Sequence, residues 1–371
     1  MTNFFSLLLI ALLASSCASV KNFSNLFDRE VKAPEFKTVW SKNLDPSYDT
    51  GNLPISLQSP LIMDGLVLVG DNNGHFKCFE LDSGRLVWSE FEDTTYHSKP
   101  VAFKDQVIYG TVAGRVYSRN AITGELKYSV DLGASVETEG VIDGGKIFFQ
   151  LRNHQVFALD VETGKVLWAY KRSVPYLTTL QRASKPVIYK NKLYVGFADG
   201  SLTALNLEEG LLLFEAKLST GIKFIDLDNP ISIIDNKIYV GIMGGPLHIL
   251  NADNGSVIKR SEIIASRAPL LEGEEIIVPL SNGALVRTDK NLNIINEKSL
   301  LKGAISGVVS TKDSFLVSST EGDIAEVNKL TFQVIRKKHL GHTYSAVFGD
   351  LEAKDGFMAV FSSRNRLYLF K

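Results

Sequence analysis

The chain is short of the residues that several kinds of protein depend on. Two cysteines in 371 residues, Cys17 and Cys78, cannot make a disulfide framework. Forty Lys and Arg against 41 Asp and Glu leave a formal charge of −1. No basic excess is present for nucleic acid, which is therefore not expected as a partner. Six histidines are scattered, and His339 and His342 in "HLGH" are the only close pair. Two ligands without a third do not make a zinc site, so no metal is expected. G-x-S-x-G, H-E-x-x-H and dinucleotide fingerprints are all missing. "GVIDGGKI" (140–147) stops short of a P-loop, because Ile147 stands where Ser or Thr should hold magnesium and a strand-like "KIFFQL" follows. Asp143-Gly144-Gly145 reads instead as a hairpin turn.

Long apolar runs are also scarce. Beyond the N-terminus no segment shows a 3.6-residue amphipathic period, and the apolar stretch 4–13 is too short to span a bilayer as a helix. With the small residues Ala14-Ser15-Ser16 after it, this stretch reads as a signal h-region and cleavage site. Residues 18–34 are polar and aperiodic, as in a tether.

What the sequence does have is repetition. "GHFKCFELDSGRLVWSE" from Gly74 returns as "GRVYSRNAITGELKYSV" from Gly114, "HQVFALDVETGKVLWAY" from His154 and "GSLTALNLEEGLLLFEA" from Gly200. Pro60, Pro100, Gly140, Pro186, Pro230, Pro269, Gly307 and Val347 mark successive unit openings, 38 to 46 residues apart. Each unit reads as four short strands of period-2 alternation, punctuated by Gly, Asn and Asp. Four strands per roughly 40 residues is the pattern of a propeller blade. The last unit has only three strands, and "FKTVWSKNL" (36–44) resembles a fourth strand with nothing before it. Joining the two closes the ring and removes exposed sheet edges. The expected fold is all-β, an eight-bladed propeller of four-stranded antiparallel blades closed by an N-terminal strand in the last blade.

A large ring recurs four residues after the turn glycine: Trp88, Tyr128, Trp168 and Phe214 follow Gly84, Gly124, Gly164 and Gly210. Such rings wedge between blades and bury about 150–250 Å² each. Lys259, Glu297 and Arg336 stand at the corresponding places later, so blades five to seven must pack differently.

"ALDVETGKVLWAY" resembles the A-x-D-x-x-T-G-x-x-x-W repeat of PQQ-like (quinoprotein-type) propellers, through Ala158, Asp160, Thr163, Gly164 and Trp168. "LLASSC" before Ala18 resembles a bacterial lipobox, which implies diacylglyceryl and acyl chains on Cys17; ordinary signal cleavage beside an incidental cysteine is the alternative. The implied division is a lipoprotein signal peptide (1–16), a lipidated Cys17 with a flexible tether (17–35) and the propeller (36–371). Lipobox, repeat, blade count and length together resemble the BamB-like propeller lipoproteins of the outer-membrane β-barrel assembly machinery. The resemblance implies a non-catalytic scaffold without a cofactor, lipid-anchored to the outer membrane and facing the periplasm. Its implied partners are the periplasmic domains of the barrel-inserting subunit, and unfolded outer-membrane proteins. Two rival readings remain open: a periplasmic propeller binding another protein or glycan, and a quinone-dependent dehydrogenase. Against the second, quinoprotein dehydrogenases usually place adjacent cysteines under the quinone, and this chain has none.

The expected binding residues lie in two connections longer than the rest, "KRSVPYLTTLQRASKP" (171–186) and "STGIKFIDLDNP" (219–230). Long loops on a rigid scaffold tend to carry function. They are expected as neighbours at the rim, offering Leu177, Leu180 and Arg182 from one and Asp226 and Asp228 from the other. BamB-like proteins are similar at both places, with a Leu-x-Leu-Arg run and an Asp-x-Asp pair that grip the barrel-inserting subunit.

Overall fold

The structure is a computed structural model that describes residues 33–47, 57–174, 184–219, 226–227, 231–242, 244–341 and 345–371. Glu35–Lys371 forms one compact unit. Among the described residues there are 32 strands and no helix. They make eight four-stranded antiparallel sheets, each in chain order from innermost to outermost strand except the last. Blade 1 covers residues 61–91, blade 2 101–131, blade 3 141–171, blade 4 187–217, blade 5 232–260, blade 6 270–299 and blade 7 305–339. Blade 8 takes three strands from 352–370, and Thr38–Asn43 pairs antiparallel with Arg366–Phe370 as its outermost strand. The expected closure is therefore present, and Lys371 N donates to Lys37 O at 2.9 Å to continue it.

Local chemistry explains the strands. Pro60, Pro100, Gly140, Pro186 and Pro269 immediately precede innermost strands, where a missing N–H costs no ladder bond. Gly144 and Gly145 both have positive φ and make the tight turn between Val141–Asp143 and Lys146–Gln150, so "GVIDGGKI" is a hairpin. Two expected openings move. Gly307 lies inside Ile305–Ser310, at an irregularity in the pairing with Ser314–Ser319. Val347 precedes the innermost strand of blade 8, Glu352–Lys354, by several residues. Neither position has the proline that marks most other openings, so the register there was open.

The core is not one mass. It is eight apolar clusters, one between each pair of neighbouring blades. The rings four residues after the turn glycine point into these interfaces, each toward the following blade. Trp40 covers Gly84 of blade 1, Trp88 covers Gly124, Tyr128 covers Gly164, Trp168 covers Gly210 and Phe214 covers Gly255. A Cβ on Gly164 would stand 2.4 Å from the Tyr128 ring, at φ +72°. Glycine is needed for close approach and for the left-handed backbone alike.

A second regularity lies beside the first. In seven of the eight blades the carbonyl of the residue just after the third strand accepts a hydrogen bond from the preceding blade, and in blade 6 the next carbonyl does, Tyr239 Oη donating to Lys290 O at 2.8 Å. Trp40 Nε1 donates to Leu81 O at 2.7 Å, Trp88 Nε1 to Ala121 O at 3.0 Å and Trp168 Nε1 to Leu207 O at 3.2 Å. Tyr128 Oη donates to Val161 O at 3.2 Å and Tyr194 Oη to Ala252 O at 2.6 Å. Arg287 donates to Lys329 O, and Arg336 Nη1 to Lys371 O at 2.9 Å. The side chain changes while the acceptor stays, because a buried carbonyl without a donor is costly.

Blades 5 to 7 do pack differently. Leu292 (φ 60°) and Phe332 (φ 55°) stand at the turn position that glycine holds elsewhere, and both are buried. Leu292 fills the interface of blades 5 and 6, and Phe332 that of blades 6 and 7, with the Arg287 guanidinium 4.9 Å from its ring. The residue facing blade 7 from the outermost strand of blade 6 is Asn296, paired with Arg287, and not Glu297, which pairs with Val286. Without a glycine to count from, the sequence reading fell one residue out of step, and such a step turns a strand side chain to the other face.

Candidate interaction face

One hydrogen bond decides which loops share a face. The first residue beyond an outermost strand donates its N–H to a carbonyl in the blade's second turn: Glu92 to Gly74 at 2.9 Å, Leu132 to Gly114 at 2.9 Å, Arg172 to His154 at 3.2 Å, Leu218 to Gly200 at 2.9 Å and Leu340 to Gly322 at 3.0 Å. Second turns and blade-to-blade connections therefore lie together, on what is here the upper face; first and third turns lie on the lower face. Arg172 and Leu218, the first residues of the two long connections, therefore stand on the upper face.

At that pinned position Leu44, Leu132, Leu218 and Leu340 are buried. Blade 3 has Arg172 instead. Its guanidinium reaches Asp199 Oδ2 at 2.7 and 3.1 Å, Glu215 at 2.6 and 2.8 Å, and Ser201 Oγ at 3.1 Å, all in blade 4. It also stacks 5.3 Å from the Phe197 ring centre. The hydrogen bonds that Arg172 donates to Glu215 are the main cause that raises the Arg172 pKa, and they also pull the Glu215 carboxyl below its ordinary value. Two charge-assisted contacts of this kind fix a guanidinium's plane as well as its position.

Both long connections are also tied to blade 4. Ser184 N donates to Gln150 Oε1 at 2.8 Å, and Gln150 Nε2 donates to Gly196 O at 2.8 Å, which ties the first connection to blades 3 and 4. Leu227 N donates to Phe197 O at 3.1 Å, and a Cβ on Gly196 would fall 2.5 Å from Leu227 O. Asp226 is fully buried and not displayed as the sequence reading had it. Its charge acts with that of Asp199 on half-buried His154, opposing the desolvation that lowers the imidazole pKa. The second connection thus buries Asp226 and Leu227, and Arg172 faces two carboxylates, Asp199 and Glu215. Leu177, Leu180, Arg182 and Asp228, like Cys17, lie outside the described residues.

Sequence reading missed Arg172, Asp199 and Glu215. The signal was present, as an arginine where sister repeats carry leucine. It also missed that residues 44–60 are a third long connection, joining blades 8 and 1. Counting from Pro60 leaves that segment out.

At the ring axis on this face, Lys99 pairs with Glu352 at 2.5 Å and Lys185 pairs with Glu139. Arg267 donates to Ser306 O at 2.6 Å and Phe348 O at 2.7 Å. Lys99, Glu139, Lys185 and Arg267 line a cavity of about 290 Å³. Among the described residues no three His, Cys, Asp or Glu side chains are placed to hold a metal ion. His339 lies 3.1 Å from Asp323, and His342 is outside the described residues. Cys78 is buried, and burial pushes its thiol up to about 12, so it is a small apolar filler.

Eight four-stranded blades, the third carrying the A-x-D-x-x-T-G-x-x-x-W repeat in full, define a propeller of the PQQ-like class. Within it, the model of the family described as outer membrane protein assembly factor BamB matches residues 72–299, more than half of the chain, and the chain belongs to that family. It is 26% identical over 173 residues to outer membrane protein assembly factor BamB of Escherichia coli, which covers 44% of this chain and 42% of that protein. It is 23% identical over 281 residues to the Yersinia pestis protein of that name, covering 71% of each. Among solved structures, BamB from Moraxella catarrhalis superposes with a TM-score of 0.73 at 18% identity, covering 91% of this chain and 99% of that one. A europium-containing methanol dehydrogenase superposes with a TM-score of 0.71 at 12% identity, covering 90% and 93%. At these identities the two superpositions speak for the fold alone.

Proposed function

We propose that this protein is a non-catalytic scaffold of the outer-membrane β-barrel assembly machinery, held to the outer membrane by lipid on Cys17 and facing the periplasm. The observation that carries the reading is the family match over residues 72–299. The scaffold grips the periplasmic domains of the barrel-inserting subunit through the upper face of blades 3 to 5. Leu177, Leu180 and Arg182 contribute from one connection and Asp228 from the other, while buried Asp226 holds the second connection in place. Apolar anchors flanked by arginine and carboxylates suit a protein interface. The described residues support this reading: Arg172, at the start of the first connection, is ion-paired to blade 4, and Leu227 of the second donates to Phe197 O of the same blade. A rigid base limits the ordering cost that loops bring to binding.

The test is affinity capture of the tagged wild-type protein from detergent-solubilised outer membranes. Recovery of the barrel-inserting subunit is expected, and its absence would favour a propeller serving another protein or glycan. Cys17→Ser tests the anchor. Because stable anchoring takes two or more acyl chains, this variant is expected in the soluble periplasmic fraction or as uncleaved precursor. Wild-type membrane retention after the other assembly subunits are stripped away would contradict lipidation.

A further inference from the structure

On the lower face, the third turn of each blade sits against the preceding blade. Lys104 of blade 2 pairs with Glu162 in the third turn of blade 3, and Lys146 of blade 3 with Glu208 of blade 4. Lys192 of blade 4 lies 3.8 Å from Asp253, and Lys237 of blade 5 donates to Asn291 Oδ1 at 3.0 Å. In these four interfaces the repeated unit is a groove with a cation in one blade and an acid- or amide-bearing turn of the next blade seated in it; between blades 6 and 7 the signs are exchanged, Lys329 of the turn pairing with Glu272 at 2.7 Å.

Blade 8 has no such turn. Its third strand, Arg366–Phe370, and its outermost strand, Thr38–Asn43, come from distant parts of the sequence. Where the turn would sit there is an open cavity of about 360 Å³, within the size range of ligand pockets. Phe36, Leu316, Phe357, Met358 and Phe370 form its apolar wall, and the first turn of blade 7, Ser310 to Ser314, forms one lip. Arg336, Lys354 and Lys371 add cationic groups to the lining. Arg336 is held in place: its Nε donates to Glu326 at 2.6 Å, its Nη1 donates to Lys371 O at 2.9 Å, and it stacks 4.7 Å from the Phe36 ring centre. Glu35, just before Phe36, pairs with Lys338 on the outermost strand of blade 7 at 3.3 Å.

We propose that this cavity docks a tight turn of a partner polypeptide bearing Asp, Asn or Glu, seated where the sister interfaces seat a turn of the next blade. The occupant follows from the repeat itself: the same place in the sister interfaces takes a turn, and Arg336, Lys354 and Lys371 outnumber the lining carboxylates Glu326 and Asp355, the first of which is already paired with Arg336. The site is on the face opposite the two long connections, so it would serve a second partner without displacing the first.

The probe is a backbone-cyclised peptide of sequence Asp-Val-Glu-Thr-Gly-Lys, the turn at 160–165, titrated calorimetrically into the full-length protein in detergent. Saturable binding is expected. Affinity should fall at least tenfold in Ser310→Trp, which crowds the lip, and in Lys354→Glu, which reverses a wall charge; both variants should melt within a few degrees of wild type. A peptide with its Asp and Glu changed to Ala should bind correspondingly more weakly. No saturable binding to wild type, equal binding of a scrambled cyclic peptide, or full affinity in both folded variants would each overturn the proposal. Capture of the barrel-inserting subunit by Ser310→Trp should stay at wild-type level, which separates this site from the upper face.

Discussion

From blade 8 round to blade 5, the ring that fills each interface belongs to the earlier blade, and the later blade offers a glycine beneath it. From blade 5 to blade 7 the direction reverses. The later blade's own turn supplies Leu292 or Phe332, and the earlier blade contributes Lys259 or Asn296. Lys259 still reaches across, donating to Asn291 O at 2.6 Å. The comparison shows that the repeat conserves a filled interface and a satisfied carbonyl, not an aromatic at a fixed place. The second solution has a cost. A non-glycine residue in the left-handed region carries about 1–3 kcal/mol of strain, which burying a Phe or Leu side chain, about 1.5–3 kcal/mol, can offset.

The largest expected effect comes from breaking the contact where the two solutions meet at the closure. Deleting residues 36–44 removes a strand of ladder bonds together with Trp40. The loss should exceed the roughly 3–5 kcal/mol typical of a buried Trp replaced by Ala, read by chemical denaturation. Next, Trp88→Ala should cost about 3–5 kcal/mol, whereas Lys259→Ala should cost under about 1 kcal/mol, as surface changes do. Equal costs would erase the distinction between the two halves. Phe332 sharpens it further. Phe332→Ala should be strongly destabilising, and Phe332→Gly less so by about 1 kcal/mol, because glycine relieves the left-handed strain that alanine keeps. In ordinary buried positions that order is reversed.

A smaller effect than loss of a wedge ring concerns Arg172. Arg172→Leu copies the sister blades and should cost about 2 kcal/mol at neutral pH by leaving Asp199 and Glu215 without their cation. The Glu215 pKa is lowered in the folded state, first by its hydrogen bond to Arg172. Its contribution is therefore present above the unfolded value, about 4.3, and is lost as pH falls through the folded value. The gap between wild type and Arg172→Leu should narrow in melts taken below pH 4. A gap independent of pH would mean that packing, not charge, explains the arginine.

Much of this was legible in the sequence because a propeller is local. Period-2 strands and Thr-Gly turns announce each blade, and "FKTVWSKNL" announced the closure by its likeness to "GRLVWSEF". Legibility ended where the markers did. Gly307 and Val347 were taken as openings without a proline beside either. Asn296 was taken for its neighbour because the turn before it holds Leu292 and no glycine. The burial of Asp226 had no local signal at all: two acids ahead of a proline read as an exposed loop, and only the contact with Phe197 and Gly196, distant in sequence, buries one of them.

The central claim is that the upper face of blades 3 to 5 is the grip on the barrel-inserting subunit. Its most direct test is affinity capture with the double variant Leu180→Ala, Asp228→Ala, alongside a melting curve. The predicted result is loss of the subunit from the captured material with the melting temperature within a few degrees of wild type, since exposed-loop substitutions usually stay within about 0.5 kcal/mol. Undiminished capture by the folded double variant would contradict the claim and place the binding face elsewhere on the ring.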